Sequence, residues 1–325
     1  MLLRRRSFAA LALVGGLLTS SVASAATAPA VSTITAQVTS ATKATKIPSN
    51  LTPSLSLFAS GSGASQLSGL SYIRPSCDPY SWPAVAAAPV PCIYGDQNGT
   101  KTMVLYGDSH AAAWIPTFDA IAKSLHQKLD VFAFAGCATS FVTMTTSGSF
   151  ADPTHKDSCN TWHSTVAPAV RALRPSTLIV TAGIGYSTYS AANTALWVAG
   201  MNKVFAQMTS GLGPVTKIYL GTTPLMPSKV PSCVAIHATT LGSCSLRYSA
   251  GSSSYYGNLI SRDPLVAKGS GSTLVPMTSL FCANNICPTV VGNTLVYADE
   301  DHITTAYALK LVPAVWALLT GAGVR

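Results

Sequence analysis

Charged side chains are scarce in this chain of 325 residues, since only 10% of them are Asp, Glu, Lys or Arg. The formal net charge is +9, but the basic residues are scattered along the chain and form no stripe. Nucleic-acid-binding proteins usually concentrate Lys and Arg on one face, so we expect no nucleic acid partner. The basic balance is compatible with an acidic glycan or a membrane surface as a neighbour.

Three sequence patterns are also missing. The eight cysteines include no Cys-x-x-Cys pair, which disfavours a finger-type zinc site. No Gly-x-Ser-x-Gly segment occurs, which disfavours a lipase of the α/β-hydrolase class. Only one long apolar run is present, whereas a domain with many membrane spans needs about 20 apolar residues for each span.

That apolar run lies at the start of the chain. Three arginines at positions 4–6 precede the apolar stretch from Phe8 to Leu18, and Ala23-Ser24-Ala25 follows it. This order is typical of a secretory signal peptide, so we predict a signal peptide over residues 1–25. An uncleaved membrane anchor is the alternative, and Arg5-Arg6 also permits twin-arginine export. Removal of the segment would lower the net charge from +9 to +6, because it carries three arginines and no acid.

The rest of the chain divides into a predicted linker and one predicted domain. Residues 26–70 are rich in Ser, Thr and Ala, which predicts a flexible linker. Residues 71–325 contain short apolar runs between longer helical patterns, which predicts an α/β fold with a parallel sheet covered on both faces. The predicted strands are Thr102–Tyr106, Leu129–Ala135, Thr177–Ala182, Lys217–Gly221 and Thr273–Met277. The predicted helices are Ala111–Leu125, Thr161–Leu173, Ala192–Thr209 and Thr304–Leu319.

The even number of cysteines favours disulfides over metal ligands in an exported chain. The sequence alone does not determine how they pair. We predict that cysteines close in the sequence pair with each other: Cys77–Cys92, Cys137–Cys159, Cys233–Cys244 and Cys282–Cys287.

The most distinctive segment is an apolar strand that enters the turn Gly107-Asp108-Ser109 just before a helix. This order places the Ser109 hydroxyl at the helix start, where backbone N–H groups face a developing oxyanion. A serine nucleophile also needs a base that a third group orients. Asp299 and His302, three residues apart near the C-terminus, can supply both groups. Ser109, Asp299 and His302 are therefore the candidate catalytic residues.

The residues next to these three candidates also have predicted roles. Asp301 competes with Asp299 for the role of the acid. Together with Glu300 these aspartates could also bind calcium, but an EF-hand loop needs a longer series of ligands. We expect Asp108 to cap or brace the turn, and His110 to support the nucleophile from beside it.

Three blocks of this sequence resemble one protein family: CIYGDQNGTKTMVLYGDSHAAAWIPTFDAIA, AGC at 135–137, and CANNICPTVVGNTLVYADEDHITTAYA. They are similar to the SGNH (GDSL-type) hydrolases and, more narrowly, to the SGNH domain found with acyltransferase-3 membrane domains in bacterial envelope O-acyltransferases. The resemblance covers roughly residues 77–320. It implies a three-layer α/β/α sandwich with a central parallel sheet of flavodoxin-like type. It also implies that Ser109 is the nucleophile and that Asp299 and His302 complete the triad.

One family feature is missing from this chain. SGNH hydrolases use an Asn as an oxyanion donor, but the segment Thr181–Tyr186 contains none. Members that accompany acyltransferase-3 domains also tend to lack it. The family's oxyanion glycine matches Gly136, so the resemblance implies that the backbone N–H groups of Ser109 and Gly136 form the oxyanion hole.

The resemblance implies a secreted bacterial serine esterase or O-acyltransferase that acts on acyl esters of cell-envelope glycans through an acyl-serine intermediate. No metal or organic cofactor is required for this chemistry. Because the chain carries no acyltransferase-3 domain, transfer would need a separate membrane protein as acyl donor. The alternative is a non-catalytic glycan-binding or scaffold protein of the cell envelope on a hydrolase fold.

A few further residues have two interpretations each. The stretch Thr222–Pro227 follows a predicted strand and either lines an acyl pocket or, as we favour, only leaves the sheet. Trp114 either supports a sugar ring or, as we favour, lies in the interior. The remaining histidines carry no motif, and we expect them at the surface or in a satisfied core: His126, His155, His163 and His237.

Overall fold

The computed structural model describes residues 22–59, 63–78, 89–146, 153–183, 191–249 and 255–325. These segments contain ten strands: β1 Cys92–Gly95, β2 Lys101–Gly107, β3 Gln127–Ala133, β4 Thr177–Thr181, β5 Thr216–Leu220, β6 Leu246–Arg247, β7 Thr273–Val275, β8 Ile286–Cys287, β9 Val290–Val291 and β10 Thr294–Leu295. Six of them form the central sheet in the order β1-β3-β2-β4-β5-β7. The five strands from β3 to β7 in this order are parallel, and β1 runs antiparallel to β3 at the edge.

The same segments contain nine helices: α1 Val22–Ala41, α2 Gly63–Leu67, α3 Ser109–Ser124, α4 His155–Ala172, α5 Ala191–Thr209, α6 Val230–Ile236, α7 Tyr255–Ser270, α8 Thr305–Lys310 and α9 Val312–Gly321. Helices α1, α3, α6, α8 and α9 contribute buried side chains to one core. Helices α4 and α5 contribute to a second core, and α7 contributes to both.

The two cores lie on the two faces of the sheet, because side chains alternate along a strand. In β2, Met103 and Leu105 belong to the first core, whereas Val104 and Tyr106 belong to the second. All four side chains are almost completely buried. A strand that is apolar on both faces is typical of a parallel sheet between helical layers. The predicted three-layer α/β/α class is therefore confirmed.

The five predicted strands are present, with ends shifted by at most two residues. The edge strand β1 was not predicted; it is short, and Ile93 in its middle is half exposed. Helix α7 was also missed, because Pro264 and charged residues interrupt its apolar pattern. The predicted helix Thr304–Leu319 is divided at Leu311 into α8 and α9. Pro313 explains the break, since proline has no N–H and its ring collides with the preceding helical turn.

The prediction of a flexible linker over residues 26–70 is wrong for the part that α1 covers. This helix packs against α9, and its Ile34 and Val38 lie in the first core with 6% and 0% exposure. Farther along, Thr52 pairs with Thr294 of β10. Small and polar residues lowered the apparent hydrophobicity, but two apolar side chains four positions apart suffice to dock one helical face. The start of the domain at residue 71 and the signal peptide, most of which lies outside the described residues, remain predictions.

The docking of α1 can be tested through Val38. Val38→Ala should lower the free energy of unfolding by about 2 kcal/mol, because it removes fully buried methyl groups. Its exposed neighbour provides the control, and Thr39→Ala should change stability by less than about 0.5 kcal/mol. Urea unfolding measures both. Equal stability of the two variants would mean that the segment is a tether.

Four disulfides connect the cysteines in the predicted pairs. The Cys137–Cys159 disulfide connects the turn after β3 to α4, and Cys233–Cys244 closes the segment that includes α6. Among the helices of the described segments, none has both the length and the apolar character needed to cross a bilayer.

Candidate active site

The turn after β2 presents Ser109 at the carboxyl edge of the sheet. Gly107 ends the strand beside Thr181 of β4, and a Cβ atom at position 107 would lie only 2.2 Å from the Thr181 carbonyl oxygen. Only glycine allows this close approach. Asp108 then caps α3, as expected, because its Oδ1 accepts the His110 N–H at 2.9 Å. Its Oδ2 accepts the Gly183 N–H at 2.7 Å, which connects the turn to the end of β4.

The structure brings together Ser109, His302 and Asp299. The Ser109 Oγ lies 2.7 Å from Nε2 of His302, and Nδ1 of His302 lies 2.7 Å from Oδ2 of Asp299. An ionised carboxylate can only accept hydrogen bonds, so the His302 imidazole donates its Nδ1–H to Asp299. In the neutral ring, Nε2 is then the acceptor that faces the Ser109 hydroxyl. The ring and both oxygen-bearing side chains remain partly accessible to solvent.

The segment that carries Asp299 and His302 is held by its own side-chain hydrogen bonds and by the chain that follows β5. Oδ1 of Asp299 accepts the backbone N–H groups of Asp301 at 2.9 Å and His302 at 2.7 Å. Two backbone hydrogen bonds reach the same segment from the chain after β5. In the loop, the Met226 N–H donates to the Glu300 carbonyl at 2.7 Å, and at the start of α6 the Val230 N–H donates to the Asp299 carbonyl at 3.1 Å. The loop Thr222–Pro227 thus does more than leave the sheet, because its Met226 N–H holds the segment that carries Asp299 and His302.

A second carboxylate contacts the base. Oδ1 of Asp301 lies 3.0 Å from Nδ1 of His302, so this nitrogen faces both Asp299 and Asp301. Burial alone would lower the pKa of the His302 imidazole, but the two carboxylates outweigh it and hold that pKa well above its ordinary value. Burial would likewise raise the pKa of Asp301, but interactions with His110 and His302 hold it below its usual range.

The buried side chain of His110, at the start of α3, faces the loop after β5. Its Nδ1 lies 3.0 Å from the Thr223 Oγ1, and its Nε2 lies 3.5 Å from Oδ2 of Asp301. At that separation the second contact is mainly electrostatic. The ring packs so closely on Gly183 that a Cβ atom there would lie 2.2 Å from its Cδ2. A supporting role for His110 stays a prediction, and the sequence did not predict the contact with Asp301.

Asp263 of α7 anchors the other end of this loop. Its carboxylate is buried and accepts both the N–H and the hydroxyl of Thr222, each at 2.9 Å. The Tyr219 hydroxyl donates a third, longer bond of 3.3 Å. Burial raises the pKa of Asp263 to about 6 despite these hydrogen bonds. A buried carboxylate thus fixes Thr222, and the next residue, Thr223, contacts His110.

Gly136 lies in the turn that follows β3, next to the Ser109 turn. Gly107 and Ala133 are paired in neighbouring parallel strands, so the chain leaves both strands at the same edge. The Cys137 N–H closes this turn on the Phe134 carbonyl, and Gly136 has a φ of +72°, a conformation that favours glycine. At the end of β4, the Gly183 N–H already donates to Asp108. The rest of the segment that lacks the family Asn, Ile184-Gly185-Tyr186, lies outside the described residues.

The other predicted residues lie away from this chemistry. Trp114 is 1% exposed and packs edge-on against Phe118 and Phe281, so it is an interior residue. His126 is exposed and pairs with Asp96 at 3.0 Å. The remaining histidines take part in no Ser109 contact: His155 is buried, His163 contacts the Ala138 carbonyl, and His237 contacts Thr240.

Two groups of side chains in the described segments place possible metal ligands together. In the first, Cys137 and Cys159 are joined in a disulfide beside His163, so no thiolate is available. In the second, the ligand atoms of His110, Asp301 and His302 lie within 4.8 Å of one another. There, Nδ1 of His302 already faces the carboxylates of Asp299 and Asp301. The expectation that no cofactor is required stays a prediction.

Comparison with known proteins assigns the chain to a family. The family model described as SGNH domain (fused to AT3 domains) matches residues 64–317. The solved periplasmic domain of a lipopolysaccharide acetyltransferase from Salmonella ser. Paratyphi A has a similar fold, with a TM-score of 0.51 and 15% sequence identity, covering 68% of this chain and 84% of that chain. A search of curated proteins found no match. The chain therefore belongs to the SGNH domain family whose members occur fused to AT3 domains.

Proposed function

We propose that this protein is a serine-dependent O-acyltransferase or esterase that acts on acyl esters of cell-envelope glycans. The observation that carries the proposal is the continuous hydrogen-bonded series from Ser109 through His302 to Asp299, with both separations at 2.7 Å. A serine, a base and an acid in this order form an activated nucleophile on many unrelated folds.

The mechanism begins when Nε2 of His302 takes the Ser109 hydroxyl proton and Oγ attacks the acyl carbonyl of the donor ester. The tetrahedral oxyanion is stabilised by the backbone N–H groups of Ser109 and Gly136. The intermediate collapses, and His302 returns the proton to the departing alcohol, which leaves an acyl-Ser109. A sugar hydroxyl or water then gives its proton to His302 and attacks the acyl carbon. The second tetrahedral intermediate collapses with cleavage of the bond to Oγ, and His302 returns the proton to Oγ, which regenerates Ser109.

Envelope glycans are the proposed substrates for two reasons. The solved structure with a similar fold is the periplasmic domain of a lipopolysaccharide acetyltransferase. The predicted signal peptide and four disulfides also favour an exported protein, because disulfides persist in oxidising compartments. In the transferase case we propose a separate membrane protein as the acyl donor.

The test of this proposal is to trap the acyl-enzyme. The purified protein is mixed with an activated acetyl ester, quenched in acid and digested, and the peptide that contains Ser109 is examined by mass spectrometry. We expect a burst of leaving group and one acetyl group on Ser109. Ser124→Ala is the matched control, because Ser124 lies at the opposite, exposed end of the same helix.

Ser109→Ala should show neither the burst nor the label, whereas Ser124→Ala should behave like the wild type. Equal turnover by wild type and Ser109→Ala would contradict the proposal. Binding of a glycan that survives Ser109→Ala, without ester turnover by the wild type, would favour the scaffold function instead. Product analysis with an oligosaccharide acceptor then distinguishes transfer from hydrolysis.

A further inference from the structure

The contacts of Asp301 extend in two directions from the proposed base. Its Oδ1 lies 3.0 Å from Nδ1 of His302, and its Oδ2 lies 3.5 Å from Nε2 of His110. The imidazole rings of the two histidines are 5.2 Å apart, with an interplanar angle of 44°. One carboxylate therefore bridges the proposed base and a second, buried imidazole. A simple triad has no need of this second imidazole.

The surroundings of His110 determine which way its ring is protonated. The Thr223 hydroxyl at 3.0 Å can donate to Nδ1, and the other ring nitrogen lies 3.5 Å from the Asp301 carboxylate without a hydrogen-bond partner among the described residues. In the neutral ring, Nδ1 then accepts from the Thr223 hydroxyl, and the proton on Nε2 is directed toward the Asp301 carboxylate. The ring has little freedom to turn away, because it packs on the Gly183 backbone and is 4% exposed.

We propose that His110 is a positioning residue that holds Asp301 against His302, so that two carboxylates rather than one serve the base. Asp299 orients the ring and fixes the backbone of its segment, while Asp301 adds a second negative charge at the same nitrogen. His110 acts only through Asp301 and does not touch the reacting atoms.

The proposed arrangement affects the pH dependence of turnover. The titratable groups around His302 are Asp299 and Asp301 on its own segment and His110 at the start of α3; the loop after β5 contributes the neutral Thr223. The Asp108 carboxylate is used by the N–H groups of His110 and Gly183. Two anions favour the imidazolium form, so the pKa of His302 is raised. Only the neutral ring accepts the Ser109 proton, so activity is lost as the pH falls through that raised pKa.

This inference rests on the proposed function, and its test uses two readouts so that the two can fail separately. The first is the acid limb of log(kcat/KM) against pH for an activated acetyl ester, with Ser109→Ala as the blank. The second is the NMR titration of the His302 ring, assigned with His302→Gln, which requires no turnover. If the variants shift the His302 titration but the wild-type protein turns over no ester, the proposed function is wrong and the inference about His110 and Asp301 stands.

Asp301→Asn should move both the acid limb and the ring titration to lower pH by about one unit, because it removes a charge within contact distance. His110→Phe retains an aromatic ring without a donor, and should move both in the same direction by a smaller amount. His110→Gln retains a terminal N–H near the position of Nε2, and should restore most of the wild-type profile. The double variant with Asp301→Asn and His110→Phe should shift no further than Asp301→Asn alone.

Asp96→Asn is the matched control, because Asp96 pairs with the exposed His126 at the opposite edge of the sheet. It should leave the pH profile and the His302 titration unchanged. Unfolding curves show whether each variant is folded, and the conservative His110→Gln carries the test if His110→Phe does not fold. An unshifted titration in folded Asp301→Asn, or a further shift on adding His110→Phe, would overturn the proposal.

Discussion

Ser109→Ala and His302→Ala are each expected to lower kcat for an activated acetyl ester by roughly 10⁵-fold. Without the hydroxyl no acyl-enzyme forms, and without the imidazole the hydroxyl beside it has no base. Ser109 Oγ and His302 Nε2 lie 2.7 Å apart, within hydrogen-bond distance. We therefore expect either substitution to remove the same activated nucleophile and to lower kcat by a similar factor. Both variants should remain folded, because both side chains are partly exposed rather than part of the core.

The double variant provides the stronger test. If the two residues act as one unit, Ser109→Ala combined with His302→Ala should be no slower than either single variant. Steady-state rates with the activated ester, corrected for spontaneous hydrolysis, measure this directly. Losses that multiply in the double variant would mean that the two residues act independently, and a triad mechanism would then be wrong.

The sequence was sufficient to find the strand-to-helix turn and the late acid–base pair. Both are local patterns: Gly107 permits the close approach to Thr181, and Asp299 and His302 are three residues apart. Their proximity in space was expected from the family resemblance alone, because the strand before Asp299 is β10, which lies outside the central parallel sheet. The two oxyanion donors and the roles in catalysis are still predictions.

The contacts of Asp301 could not be predicted in the same way. They depend on where the His110 ring points and on which residue of the loop after β5 reaches it. That loop is set by Asp263, whose buried carboxylate holds Thr222. Asp263 lies on α7, a helix that the apolar pattern did not indicate because its inward face carries charged residues. The sequence offered only two indications of these contacts: the polar Thr223 after a strand, and a histidine beside the proposed nucleophile.

The prediction of a flexible linker at the N-terminal end was also wrong where α1 lies. Low aromatic content and many Ser, Thr and Ala residues suggested a linker, yet Ile34 and Val38 of α1 are buried. Composition averages over all faces of a helix, whereas docking depends on one face. Helix α7 was missed for a different reason, because its inward face itself carries the buried Arg262 and Asp263.

Asp299→Asn is expected to lower kcat roughly 10³-fold, less than loss of the base but far more than loss of Asp301. An amide in place of the carboxylate can present N–H to Nδ1, which favours the ring tautomer with its proton on Nε2. That tautomer offers no lone pair to the Ser109 hydroxyl. The loss is limited because Asp301 Oδ1, at 3.0 Å from Nδ1, still favours the productive tautomer in part of the molecules.

The two aspartates can therefore be separated by comparing their amide variants above the acid limb. There, Asp301→Asn should retain kcat within about threefold, because Asp299 alone still orients the ring. The double variant with Asp299→Asn and Asp301→Asn should have a kcat about 10⁴-fold lower than the wild type, because no carboxylate then remains at Nδ1 of His302. Asp299 also accepts the N–H groups of Asp301 and His302, so its loss disturbs the segment as well as the ring. If Asp301→Asn were as slow as Asp299→Asn at every pH, Asp301 would share the role of triad acid equally.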